Sequence, residues 1–397
     1  MIPRVPPGFR LTGVHCGIKK DATKEDLALV VADRPSVAAG VYTQNVVVAA
    51  PVMFNRRRTP YENFRAVVAN SGNANACTGE RGLRDAEQTA RLAADACGLK
   101  PDQVLVLSTG VIGLYLPMEN IATGIRDAAA RLGNDEASFL AAARGIMTTD
   151  RFHKVAGRKA TIRGQEVQVT GMAKGAGMIG PSMATMLALV MTDARLAAPD
   201  AQRILAAAAD QSFNCISVEG HTSTNDTVLL LASGAAHDRP LATEELPALQ
   251  AAVSEVCLEL ARMIPDDGEG ASHLITIDVR GCARREDALC MAKAIANSPL
   301  VKTGIAGADP NWGRLISAAG MVGIPFDPHR ATLTVNGTVL FRNGEPVPFD
   351  APRLSSSIRS RRDTQIELDF CEGQASVRFW TSDLTADYVR LNSEYTT

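Results

Sequence analysis

Residues 174–194, KGAGMIGPSMATMLALVMTDA, pass from a glycine-rich turn into an apolar run, with Thr185 at the junction and the small Ala184 in front of it. Residues 186–191 offer no polar face, so they read as a strand buried on both sides, as in a sheet covered by helices. The glycines at 175, 177 and 180 give a small-residue approach to that strand. A threonine in this setting can become a catalytic N-terminus. If its hydroxyl attacks the Ala184 carbonyl and the resulting ester hydrolyses, the chain splits and Thr185 gains a free α-amine. That amine, with a reference pKa of about 7.7–8.0, serves as base for its own hydroxyl. The same letters also suit a plain turn before a core strand.

A second reading of these residues is a nucleotide site. Gly175, Gly177 and Gly180 match G-x-G-x-x-G, and Asp193 lies eighteen positions after the first of them. The context disagrees with the match. GMAK separates the strand-like 166–170 from Gly175, and the residues after Pro181 resemble a strand more than a helix able to face a pyrophosphate.

Composition narrows the classes further. At 397 residues the chain has room for two or three domains. Its 21% charged residues, formal charge of −2 and 5% aromatics provide no basic, aromatic-laced nucleic-acid surface. Cysteines 16, 77, 97, 215, 257, 282, 290 and 371 are scattered with no C-x-x-C pair, and the six histidines form no H-x-x-x-H pair. The expectation is reduced thiols, no metal and no cofactor. The opening MIPRVPPGFR resembles neither a signal peptide nor a membrane span, so a cytoplasmic protein is expected.

Along the chain, strand-like runs at 27–32, 66–68, 104–107, 166–170, 227–232, 274–279 and 375–381 alternate with helix-like runs at 83–97, 119–132, 200–211, 243–263 and 285–296. This alternation predicts a layered α/β architecture. Asn336-Gly337 marks a hairpin within 332–341. Five polar, glycine-punctuated loops come after strands: 70–79 (NSGNANACTG), 108–113 (STGVIG), 219–226 (EGHTSTND), 266–271 (DDGEGA) and 309–314 (DPNWGR). Loops on a rigid scaffold are where binding residues gather, so these five read as the walls of one pocket.

Together with PGFRLTGVHCGIKK, MTTD, MAKGAGM, ATML, VKTGIAGADPNWGR and the final NSEYTT, these blocks make the chain resemble the bifunctional ornithine acetyltransferase / N-acetylglutamate synthase family of arginine biosynthesis. The resemblance spans essentially the whole chain. It implies a layered α/β sandwich of the self-processing N-terminal-nucleophile type, cut between Ala184 and Thr185. The products are an α chain of residues 1–184 and a β chain of 185–397, the latter with a smaller C-terminal α/β subdomain from about 280. Two such pairs would form a heterotetramer.

By the same resemblance Thr185 is the nucleophile, and Thr109 and Gly110 stabilise the oxyanion. Thr148, Lys174, Thr185, Glu269, Asn392 and Thr397 contact substrate. Lys174 suits a carboxylate and Glu269 an ammonium group. The implied reaction is a ping-pong transfer of acetyl from N-acetylornithine to glutamate through an acetyl-threonine enzyme. Some members of the family also take acetyl-CoA as a substrate, and no residue here decides that.

The chain departs from the family pattern at Arg151, Phe152 and His153, where Thr-x-Pro is usual, and at Glu219-Gly220-His221, where Asp-Gly-Asp is usual. Gly180 and Ser182 replace the common Ala and Asn. These departures leave open a shifted amino-acid specificity or a paralogue acting on another acyl donor or amine in secondary metabolism. A separate reading is an N-terminal-nucleophile amidohydrolase that passes the acyl group to water.

Overall fold

The computed structural model describes residues 2–180 and 186–394. Ala184, Thr185 and Thr397 therefore lie outside the described residues. The strands are β1 (Phe9–Val14), β2 (Leu27–Tyr42), β3 (Tyr61–Asn73), β4 (Val104–Val111), β5 (Lys154–Ile162), β6 (Gln165–Lys174), β7 (Leu187–Thr192), β8 (Ile216–Ser217), β9 (Thr227–Ala232), β10 (Leu274–Cys282), β11 (Thr332–Val335), β12 (Thr338–Arg342), β13 (Glu345–Pro346), β14 (Asp363–Asp369) and β15 (Ala375–Ser382). The helices are α1 (Ala50–Arg56), α2 (Gly79–Cys97), α3 (Met118–Ala130), α4 (Glu136–Gly145), α5 (Ala198–Gln211), α6 (Leu246–Asp266), α7 (Arg285–Asn297), α8 (Pro299–Ala306), α9 (Trp312–Gly320), α10 (Ala351–Arg359) and α11 (Ala386–Glu394).

Two mixed sheets carry the fold. The first runs β4-β3-β2-β9-β7-β6-β5 with β1 paired to β2, and the second β13-β12-β11-β14-β10-β15-β8. The second sheet begins at Leu274 but borrows β8 from much earlier in the chain. Alternation explains how the first sheet is filled on both sides. In β7, Ala188 and Val190 pack on one face with Ile204 and Leu205 of α5 and Val256 and Leu260 of α6. Leu187, Leu189 and Met191 point to the other face, with Phe139 and Ala142 of α4. Every residue of β7 is buried, which is the two-sided burial that the apolar run requires. Helices thus cover both faces of the sheet, giving the layered α/β sandwich.

Local chemistry sets the element ends. α2 stops at Gly98, whose φ of +66° no other residue type adopts as cheaply, and the Leu99 N–H returns to the Ala94 carbonyl. Asp135 caps α4 by accepting from the Ser138 N–H at 2.8 Å. Asn336 and Gly337 take φ of +45° and +80° between β11 and β12, the backbone that the Asn-Gly pair favours in a tight hairpin.

Two expectations are corrected. Residues 70–73 and 108–111 read as loops but close β3 and β4, pairing in parallel as Asn70 with Ser108, Ser71 with Thr109 and Gly72 with Gly110. Neighbouring strands satisfy the backbone here, and that pairing overrides the turn propensity of Asn, Ser and Gly. The 309–314 loop does not join the other four. Asp309, Asn311 and Arg314 sit at the α8–α9 junction and line a small crevice with Leu300, Val301 and Gly304. Among the described residues no helix is long and apolar enough to cross a membrane.

Candidate active site

The remaining four loops converge. A cavity of about 160 Å³ is lined by Thr109, Gly110, Thr148, Lys174, Glu269 and Asn392, all singled out in the sequence, and by Asn225 and Tyr388, which have no individual role there. It opens beside a larger chamber of about 790 Å³ that shares Gly110, Thr148, Glu269 and Asn392 and adds Lys20, Lys24 and Arg151 at its rim. An open groove of about 1120 Å³ lies elsewhere, along α6 and β15. It contains none of the sequence-derived residues, and its arginines are already paired, Arg158 with Glu255 and Glu259 and Arg378 with Asp278.

Thr109 and Gly110 reach the cavity because β4 is pinned from behind. The fully buried Asn55 donates to the Val106 carbonyl at 2.8 Å and accepts from the Val106 N–H at 3.1 Å. At Gly110 the strands come so close that a Cβ would lie 2.3 Å from the Gly72 carbonyl carbon. Its φ of +130° also falls in the region that favours glycine. Asn225 stitches two loops together, donating to the carbonyls of Ala74 at 2.6 Å and Ser108 at 2.8 Å.

Both flanks of residues 181–185 are held. Upstream, the Ile179 carbonyl accepts from the N–H groups of Val218, Glu219 and Gly220 at 2.9, 3.3 and 3.0 Å, and from the Ser217 hydroxyl at 3.2 Å. Downstream, the Met186 N–H donates to Asp226 Oδ1 at 3.1 Å, and its carbonyl accepts from the Thr227 N–H at 3.1 Å. The second oxygen of Asp226 is buried and has no hydrogen-bond partner among the described residues. Burial pushes the Asp226 carboxyl well above its usual range, against the pull of the Met186 N–H and Lys174.

Lys174 closes β6 and is only 2% exposed. Burial lowers its pKa, and Asp150 and Asp226 partly restore the charged form. Glu269 lies where a side chain at residue 177 would otherwise be: a Cβ on Gly177 would stand 2.6 Å from the Glu269 carboxyl carbon. Asn392 of α11 donates to Glu269 Oε2 at 3.0 Å, and the Glu269 N–H bonds the Ala176 carbonyl at 2.9 Å.

Of the departures from the family pattern, Glu219 and His221 line the cavity and Arg151 lines the larger chamber, whereas His153 lines neither. Both carboxyl oxygens of Glu219 are buried with no hydrogen-bond partner among the described residues, and burial pushes the group up to about 8. At neutral pH it is therefore mostly protonated. Sequence reasoning gives Asn225, Asp226 and Tyr388 no individual role, although Asn225 and Asp226 stand in the TSTND block.

A family model, that of the ArgJ family, matches residues 10–397. The chain belongs to the ArgJ family. It is 48% identical over 396 residues to the "Arginine biosynthesis bifunctional protein ArgJ" of Rhodopirellula baltica, with 99% of this chain and 96% of the relative covered. The protein of the same name from Symbiobacterium thermophilum is 46% identical over 395 residues, covering 99% and 98%. Among solved structures, the crystal structure of "Arginine biosynthesis bifunctional protein argJ" from Bacillus halodurans matches with a TM-score of 0.51 and 36% identity. That match covers 98% of the solved chain but 52% of this one.

Proposed function

We propose that this protein is a self-processing acetyltransferase of arginine biosynthesis, moving acetyl from N-acetylornithine to glutamate through an acetyl ester on Thr185. The observation that carries the reading is the convergence on one cavity of Thr109, Gly110, Lys174 and Glu269. Beside it, Asp226 holds Met186, the residue bonded to Thr185. Family membership supplies the reaction class.

In this mechanism Lys174 binds the α-carboxylate of the donor and Glu269 its ammonium group. The Thr185 hydroxyl attacks the acetyl carbonyl while the α-amine of Thr185 takes its proton. Donors at Thr109 and Gly110 stabilise the oxyanion, and such donors are typically worth on the order of 10²- to 10³-fold in rate each. The tetrahedral intermediate collapses, the same amine returns the proton to the leaving nitrogen, and ornithine departs. Glutamate then attacks the acetyl ester in the reverse sense. Each turnover uses both fragments, residues 1–184 and 185–397, and the mature form is a heterotetramer of two such pairs in the cytoplasm.

The test is incubation with N-acetylornithine, with and without glutamate. N-acetylglutamate formed in proportion to ornithine released supports transfer. Acetate released at a rate that glutamate does not change identifies an amidohydrolase instead.

A further inference from the structure

One buried cluster of charges ties three walls of the cavity together. Lys154, at the start of β5, is fully buried and donates to Asp150 Oδ1 at 2.7 Å and Asp267 Oδ2 at 2.6 Å; both carboxylates are also fully buried. The Phe152 ring lies 4.9 Å from its ammonium group. Each carboxylate then reaches a different part of the site. Asp150 accepts the Thr148 N–H at 3.0 Å and the Gly175 N–H at 2.7 Å, which fixes the Thr148 turn and the residue after Lys174. Asp267, two residues before Glu269, accepts the Arg151 N–H at 3.0 Å and Arg151 Nε at 2.9 Å. The two acids and two bases balance, and each of the three buried members, Asp150, Lys154 and Asp267, is paired, which is the condition under which such groups tolerate burial.

We propose that Asp150, Lys154, Asp267 and Arg151 form an ionic clasp that sets the separation of Lys174 and Glu269. The clasp thereby selects the amino acid by the length of chain between its carboxylate and its ammonium group. This rests on the reading of Lys174 and Glu269 as the holders of those two groups. The segment bearing Lys174 and the segment bearing Glu269 are anchored to one ammonium ion, so its two short contacts, together with the Glu269 N–H bond to the Ala176 carbonyl, set their spacing. Burial alone would raise the Asp150 pKa. The charges of Lys154 and Lys174, together with the hydrogen bonds from Lys154 and the Gly175 N–H, outweigh burial and keep the carboxyl below its usual range, so the anchor stays ionised. Arg151 is the solvent-facing member, with its side chain 57% exposed, and its Nε adds a charged contact to Asp267 that an uncharged side chain could not supply. These four are positioning residues and need not touch the substrate.

The experiment is calorimetric binding of ornithine, 2,4-diaminobutyrate and lysine, whose side chains hold three, two and four methylenes between identical charged ends. Wild type is expected to prefer ornithine at least about tenfold over both. Arg151→Met keeps the stem but loses Nε, and Asp267→Asn keeps the shape but loses the charge. In both, the preference is expected to fall at least about fivefold while binding of lysine is kept or improved. Arg151→Lys is expected to rescue part of it. A merely structural role would lower the melting temperature and weaken all three ligands equally, which overturns the clasp. Binding of none of the three by wild type overturns the functional reading itself and the selectivity role with it. Discrimination unchanged in Arg151→Met and Asp267→Asn overturns the clasp alone, and Arg151→Met, an exposed side chain, keeps this decisive if Asp267→Asn fails to fold.

Discussion

Gly110→Ala is the substitution whose consequence the geometry specifies most fully. The new Cβ would lie 2.3 Å from the Gly72 carbonyl carbon and 2.5 Å from the Asn73 nitrogen, both backbone atoms that no rotamer can move aside. Alanine at a φ of +130° costs on the order of 1–3 kcal/mol in backbone strain. Forcing β3 and β4 apart adds about 1–3 kcal/mol more. Together these should lower the melting temperature by about 4–12 °C, given about 2 °C per kcal/mol in a large domain. Because the shift falls on the Thr109–Gly110 edge itself, acetyl transfer should drop about 10²-fold or more, the typical effect of losing one oxyanion donor. Gly113→Ala is the control, since Gly113 has a φ of +85° but a Cβ there meets nothing within 4 Å among the described residues. It should show the strain cost alone. The assay is ornithine release at a temperature where both variants are folded by circular dichroism. Transfer by Gly110→Ala within about threefold of wild type would refute the placement of the oxyanion site at this edge.

The same contacts predict other outcomes. Lys174→Met or Glu269→Gln removes one charge-assisted contact to the amino acid, so KM should rise about 10- to 100-fold with a smaller change in kcat. Equal loss in kcat with unchanged KM would contradict a binding role. Asn55→Ala strands the N–H and carbonyl of Val106 behind β4 and should cost about 1–3 kcal/mol for each group, read by urea denaturation. Folded Glu219 keeps its proton up to about pH 8, whereas the unfolded carboxyl releases it near 4.5, so wild type loses stability as pH rises through that window. Glu219→Gln has no such titration. Its melting temperature relative to wild type should climb between about pH 5 and pH 8.5, and a flat difference would show that the carboxyl is not held neutral.

The layered fold was legible because its signals are periodic. The two-sided burial of β7, the helices after 79, 198 and 285, and the Asn336-Gly337 hairpin all arise from spacing and turn chemistry. The misread stretches are those where tertiary pairing reverses local propensity. Asn70 to Asn73 and Ser108 to Val111 look like turns in isolation and become strand ends only because each lies beside the other. Position also explains which site residues escape sequence reasoning. Asn225 and Asp226 act through backbone groups far away in sequence, at Ala74, Ser108 and Met186, and no local pattern announces such a contact. The 309–314 loop carries the same Asn and Gly signature as the pocket loops yet lies elsewhere, since turn residues report backbone geometry and not destination.

N-terminal sequencing and intact mass of the purified wild-type protein and of Thr185→Ala test the central claim most directly. The account predicts two wild-type fragments, the second beginning Thr-Met-Leu, and a single uncut, inactive chain for the variant. A wild-type chain that stays whole while transferring acetyl, or a Thr185→Ala variant that remains active, would contradict it.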